Sequence, residues 1–341
     1  MKDSANLDFL RAWAVAAVFL NHLFYTFGNR GNWFLDTRFL GRAGVLVFFV
    51  HTSLVLMLSM RRTASIAHPA LHFYVRRAFR IYPLSIVCVT AYVVAGLPPD
   101  LWESARRISP LVMASNLLLM QNLTGGFSVL SPLWSLPFEI QMYVVLPLVY
   151  AAARRGRSAA VAMILGSVGA CGVLKVLTAD YALGLIAYAP YFLAGVLAFT
   201  MLSGRKRWNG GWWIVAVLGS MAGATVVMNV LKHGVTIAGW CLCLALGVLI
   251  PQFEEIRSHW VRAASHTVAK YSYSIYLRHV PAMWIAVHIS NRFPVQLAGV
   301  GFFTVALSLA AYHGIEAPMI GIGKRVADGA FARRAPVAAV K

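Results

Sequence analysis

The first apolar run of the chain, Leu7 to Phe27, holds two residues that hydrocarbon tolerates badly, Arg11 and His22. An arginine near the centre of a membrane helix costs roughly 2.5 to 3.5 kcal/mol, so such groups face a protein interior or a wet cavity. Eleven residues separate the pair, which at about 100° per residue brings them within about 20° of one face and about 16 Å apart along the axis. One helix thereby presents a cation near its start and, deeper, an imidazole, the side chain best suited to moving a proton at neutral pH. The alternative is that both are interior hydrogen-bonding groups of a bundle.

Three further clusters carry chemistry. Arg76, Arg77 and Arg80 stand at the entrance of an apolar run; guanidinium forks bind phosphate in bidentate fashion, although such arginines also anchor spans to anionic lipid. Glu139 is the lone acid of the run Pro132 to Ala153, with Ser135 and Tyr143 one turn to either side on the same face. Because a buried carboxylate needs a partner, Arg11, another core arginine, or His22 through a bound hydroxyl compound is expected beside it. Its role is to orient an imidazole, hold a substrate hydroxyl, or pair structurally. His51 and His279 fall in other apolar runs. His51 either lines the same cavity as His22 or, the favoured reading, donates to a carbonyl one turn earlier; for His279 a cavity position and a packing role beside Pro281 both stand.

The elements that must position these groups are membrane helices. Of the 341 residues 60% are apolar and only 12% charged, and mean hydropathy is +0.70, far from the roughly 25% charged of soluble domains. The fold class expected is all-α: a polytopic bundle of about ten transmembrane helices, with residues 1–323 forming one domain and 324–341 a mobile basic cytoplasmic tail. The spans fall near Leu7 to Phe27, Phe39 to Met60, Arg80 to Leu97, Pro132 to Ala153, Ala159 to Leu177, Leu183 to Leu202, Trp212 to Leu231, Val235 to Pro251, Thr267 to Ser290 and Val295 to Ile315. Leu101 to Asn122 reads as re-entrant or interfacial, since a crossing there would reverse every later loop. Arg61 to Phe79 reads as a basic connector on the inner surface. Lys and Arg concentrate in the loops on the side of the N-terminus, which places both termini in the cytoplasm. The formal charge of +19 is thus a topology signal rather than a nucleic-acid footprint. Cys88, Cys171, Cys241 and Cys243 all lie in apolar runs, and neither a disulfide nor a metal site is expected. The start of the chain lacks the basic region and cleavage site of a removable signal, so the first run is expected to be retained.

Several blocks resemble the family 3 acyltransferases, integral membrane enzymes that O-acylate sugars and related acceptors. Arg11, ten residues and His22 match that family's opening hallmark, with Phe9 and Ala12 where glycines are common. Gly44 to Ser53 is similar to its second helix, although Leu46 stands where an acid is frequent. Phe73 to Pro83, Trp134-Ser135-Leu136 with Glu139 and Tyr143, Tyr191 to Gly195, Ser272 to Pro281 and Ile315 to Pro318 follow in collinear order.

The resemblance implies an acyl-CoA donor, with acetyl-CoA the first candidate, held through its phosphates on Arg76, Arg77 and Arg80. His22 would be the base, supported by Arg11 and Glu139. Trp134, Ser135, Tyr143 and His279 would line the acceptor site, and Gly195 would permit close helix contact. It further implies a saccharide or glycolipid acceptor and a multi-pass location in a bacterial cytoplasmic (inner) membrane. A small-molecule acceptor such as a macrolide is the alternative within the enzyme class. A transporter or exporter is the alternative outside it, disfavoured by the lack of a visible two-halves repeat. Acyl chain length and oligomeric state stay open.

Overall fold

The computed structural model describes residues 4–28, 36–97, 108–177, 184–204, 208–231 and 235–331. Twelve α-helices run in order: α1 (Ala5–Phe27), α2 (Arg38–Arg62), α3 (Pro69–Val94), α4 (Pro110–Leu117), α5 (Leu136–Ala153), α6 (Arg157–Leu177), α7 (Gly184–Met201), α8 (Gly211–Val230), α9 (Val235–Leu249), α10 (His259–Ile289), α11 (Phe293–Ala311) and α12 (Ala317–Phe331). A 3₁₀ turn, Ser131–Ser135, leads into α5, and a π-helical turn, Tyr312–Glu316, joins α11 to α12. Among the described residues the architecture is all-helical apart from a single bridge between Trp208 and Phe253.

The ten expected spans fall on helices, and among the described residues seven segments are long and apolar enough to cross a membrane. The chain has the character of an integral membrane protein. Its outward faces carry exposed apolar side chains such as Val144, Leu148, Val176 and Phe302, as a helix facing lipid requires. The most enclosed helix is α2, 78% of whose apolar window is buried. It packs on α1 and α7, and small residues make both contacts possible. A Cβ at Gly44 would stand 2.7 Å from the Ala14 carbonyl of α1, and one at Gly195 would fall 2.1 Å from Ser53 Oγ. The close helix contact expected of Gly195 is therefore present.

Three boundaries differ from expectation. Helix α3 begins at Pro69, eleven residues ahead of the expected Arg80, so the Arg61 to Phe79 connector is half helix. Proline at the first helical position supplies the start, because its missing N–H would have no helical partner there. Helix α10 begins at His259 rather than Thr267, its polar first turns giving no hydropathy signal. The last span does not stop at Ile315 but turns through the π segment into α12, which packs on α3, with His72 Nε2 2.8 Å from Asp328 Oδ1. Lys324 and Arg325 consequently stand on a helix; 332–341 lies outside the described residues. Of the Leu101 to Asn122 segment, 101–107 lies outside them as well, and the rest holds α4, whose eight residues are too short to cross.

The register of α1 is set at its first turn. Ser4 caps it by accepting from the Leu7 N–H, and Ser4 Oγ donates to Glu255 at 2.9 Å. The Asn6 N–H also donates to Glu255, Asn6 Nδ2 reaches the Glu254 carbonyl at 2.9 Å, and Trp213 Nε1 on α8 donates to the Asn6 carbonyl at 3.0 Å. These bonds satisfy donors and acceptors that a helix end would otherwise leave orphaned. They also fix where Arg11 and His22 point.

Candidate active site

Three internal spaces lie along α1. The first, about 290 Å³, opens at the Ser4 end and is lined by Arg11, His51, Arg62, Arg80, His266, Lys270 and Tyr312, with Asp8 and Glu316 as its acids. The second, about 60 Å³, is a waist lined by Arg11, Thr52, Arg80, Ser135, Glu139, Tyr143, Ser272 and Tyr276. The third, about 530 Å³, lies toward the far end of α1 among Asn21, His22, Tyr25, Arg38, Arg42 and Trp134. Arg11 and Arg80 line both of the first two, and Val45 lines the second and third.

Arg11 is oriented by Ser272 of α10, whose Oγ accepts from Nε at 2.6 Å and itself donates to the Ala269 carbonyl at 2.8 Å. Glu139 accepts from the Tyr143 hydroxyl one turn on and faces Arg11 and Arg80 across the waist. Arginine on one wall and carboxylate on another meet the condition for holding charge in an interior. Ser135 does not bond to Glu139. The 3₁₀ turn aims it at α10, where its Oγ lies 2.8 Å from the Tyr276 hydroxyl, and Tyr276 in turn donates to the Pro132 carbonyl at 2.7 Å. Trp134, on the same turn, enters the third space and packs against Phe138 and Tyr188.

The three neighbouring arginines part company. Arg80 projects into the interior and lies 3.9 Å from Glu316. Arg77 stacks over the Phe73 ring at 5.8 Å, and neither it nor Arg76 lines any of the three spaces. His51 lines the first space rather than only packing within its own helix. His22 and His279 stand with ring centroids 5.0 Å apart, brought together by the packing of α1 on α10.

Sequence reasoning passed over Glu316, Lys270 and Arg62. Glu316 is 1% exposed and accepts from Ser274 Oγ at 2.8 Å. The π-helical turn, a distortion frequent at functional sites, brings it to Arg80. The signal available was the one that singled out Glu139: an isolated acid beside an apolar span. Lys270 and Arg62 sit where hydropathy places ordinary helix-end charges, and nothing local distinguishes them.

The site thus holds an imidazole with space beside it, and a cluster of cations and acids in the spaces nearer the Ser4 end. The family described as an acyltransferase domain, acyltransferase family 3, matches residues 4–313. The chain belongs to acyltransferase family 3. It is also similar to acyltransferase MdmB of Streptomyces mycarofaciens, 30% identical over 165 residues, which is 44% of this chain and 40% of that protein. The chain thus matches less than half of that relative's length. No solved structure gives a significant match. The region matched by the family takes in Arg11, His22, Glu139 and His279.

Proposed function

We propose that this protein moves an acyl group, acetyl being the first to test, from cytoplasmic acyl-CoA to a hydroxyl of a saccharide or glycolipid at the membrane or its outer face. The observation that carries the reading is the succession of spaces, from the cation-lined one at the Ser4 end, through the Arg11 and Glu139 waist, to the one that holds His22. Arg62, Arg80 and Lys270, with Arg11 behind them, suit the phosphates of the donor, since ion-paired and bidentate contacts to phosphate are the strongest hydrogen bonds a protein makes. The waist is too narrow for a nucleotide and admits a thin chain, so the reading has the pantetheine arm cross it while the nucleotide stays behind. Arg76 and Arg77, which line none of these spaces, are then left out of the phosphate grip.

At the far end His22 takes the proton of the acceptor hydroxyl. The oxygen bonds to the acyl carbon, the carbon to sulfur bond breaks, and the proton passes on to the thiolate that leaves. Trp134 and Tyr25 offer flat apolar faces to an acceptor ring. In this reading the protein sits in a bacterial inner membrane, with the Ser4 end toward the cytoplasm.

The test is mass analysis of surface glycans and glycolipids from cells with and without the gene, together with cells carrying His22→Ala. A species heavier by one acyl group is expected only where His22 is present. An acylated product made equally well by the His22→Ala protein would remove His22 from the chemistry.

A further inference from the structure

His279 is 1% exposed and sits inside α10, where the carbonyl one turn back, that of Ile275, lies 3.0 Å from Nδ1. A carbonyl oxygen only accepts, so Nδ1 carries the ring proton and Nε2 is left with a lone pair. A second proton on Nε2 would put an uncompensated charge and an unpaired donor into the interior. Yet Nε2, although buried, has no hydrogen-bond partner among the described protein atoms. Most buried polar atoms are satisfied, and an exception asks for an explanation, such as strain, a bound water or ion, or a catalytic role.

The ring next to it is His22, at a centroid separation of 5.0 Å and an interplanar angle of 62°. The two are not hydrogen-bonded as they stand, but ring nitrogens lie about 1 Å out from their centroid, so a turn of either ring brings a nitrogen pair to about 3 Å, which is hydrogen-bond distance. Phe19 and Tyr276 enclose the His279 ring on other sides, each centroid 6.3 Å away. Neither presents a carboxylate that could take the same place.

We propose that His279 is the positioning residue of a two-imidazole pair. Its backbone-locked tautomer aims the Nε2 lone pair at the N–H of His22, holding the base in the one tautomer whose other nitrogen faces the acceptor hydroxyl. When His22 takes up the hydroxyl proton, the charge that develops on it is met by that lone pair, and the proton leaves from the nitrogen that received it. His279 neither gains nor loses a proton in the cycle. A neutral imidazole here does the orienting work that a carboxylate does in serine hydrolase triads. The inference rests on the reading of His22 as the base.

The test uses the full-length protein in lipid nanodiscs with ¹⁵N-labelled histidine, the two signals being assigned with His22→Phe and His279→Phe. His279 is expected to carry its proton on Nδ1 alone, and His22 to populate one tautomer that becomes a mixture in His279→Phe. A proton on Nε2 of His279, or a His22 tautomer that ignores the substitution, overturns the proposal whether or not acyl transfer is observed.

Kinetics supply the second arm. His279→Phe keeps the ring volume without the lone pair and should lower kcat by at least about tenfold with the donor KM unchanged. His279→Gln keeps an acceptor oxygen and should recover most of that loss. Wild-type turnover in His279→Phe overturns the pairing. An absence of transfer by the wild-type protein overturns the function of the preceding section instead, and leaves the tautomer measurement to decide the pairing by itself.

Discussion

The two large spaces on either side of the waist are built on opposite plans. At the Ser4 end the polar groups are braced by partners from other elements: Arg80 stands near Glu316, His266 Nδ1 lies 2.9 Å from Asp8 Oδ2, and Arg11 is held by a serine. These partners come from α1, α3, α10 and the π turn, so that space is defined by fixed cations in a braced frame. At the far end no acid lines the space among the described residues; its wall is Trp134, Tyr25, His22 and the two arginines Arg38 and Arg42, Arg38 pairing with Asp36 outside that wall at 2.7 Å. The contrast teaches a division of labour. On the proposed function, electrostatics falls where a multiply charged donor would be gripped, and aromatic surface with an imidazole where a hydroxyl would be placed and deprotonated.

Substitutions can break that division or sharpen it. The largest effect is expected from His22→Ala, a loss of acyl transfer of about 10³-fold or more, as removal of a general base gives, with unchanged protein in the membrane fraction by blotting. Arg80→Gln should come next, raising the donor KM by about 10- to 100-fold through a lost charged phosphate contact while leaving the acceptor KM alone. Equal shifts in both constants would erase the distinction between the two ends. Trp134→Ala should do the reverse, raising the acceptor KM by about tenfold through lost ring contact with the donor KM steady, measured by varying each substrate at saturating levels of the other. The smallest effect is expected at Arg76→Gln, within about twofold on either constant, as for other partly exposed charges outside a site. A donor KM as high as that of Arg80→Gln would move the phosphate grip to the outer arginines.

Much of this was legible in the sequence because the membrane imposes a simple rule: long apolar runs become helices. The shared face of Arg11 and His22 follows from helix geometry alone, and Glu139 and Tyr143 do meet at one-turn spacing. Partnerships between helices were not legible. Ser272 meets Arg11 across 261 positions, and Ser135 meets Tyr276 across 141; no local pattern encodes which turn of one helix faces which turn of another. Arg76 and Arg80 share a one-turn spacing and a residue type, yet only Arg80 reaches the interior, because the packing of α12 and the π turn against α3 decides which face of α3 looks inward. The start of α10 was missed for a different reason, since polar turns that project beyond an apolar run carry no hydropathy signal.

Between Arg11 and His22 the first helix has neither proline nor glycine, and its opening turn is clamped to the Glu254 to Ile256 segment and to Trp213. It is a strut of fixed length. Whatever cycle the protein runs through, the span from the guanidinium to the imidazole cannot shorten, so the travelling part has to be the cargo. A donor whose reactive end falls short of that span should dock at the mouth and never react, however tightly it is gripped.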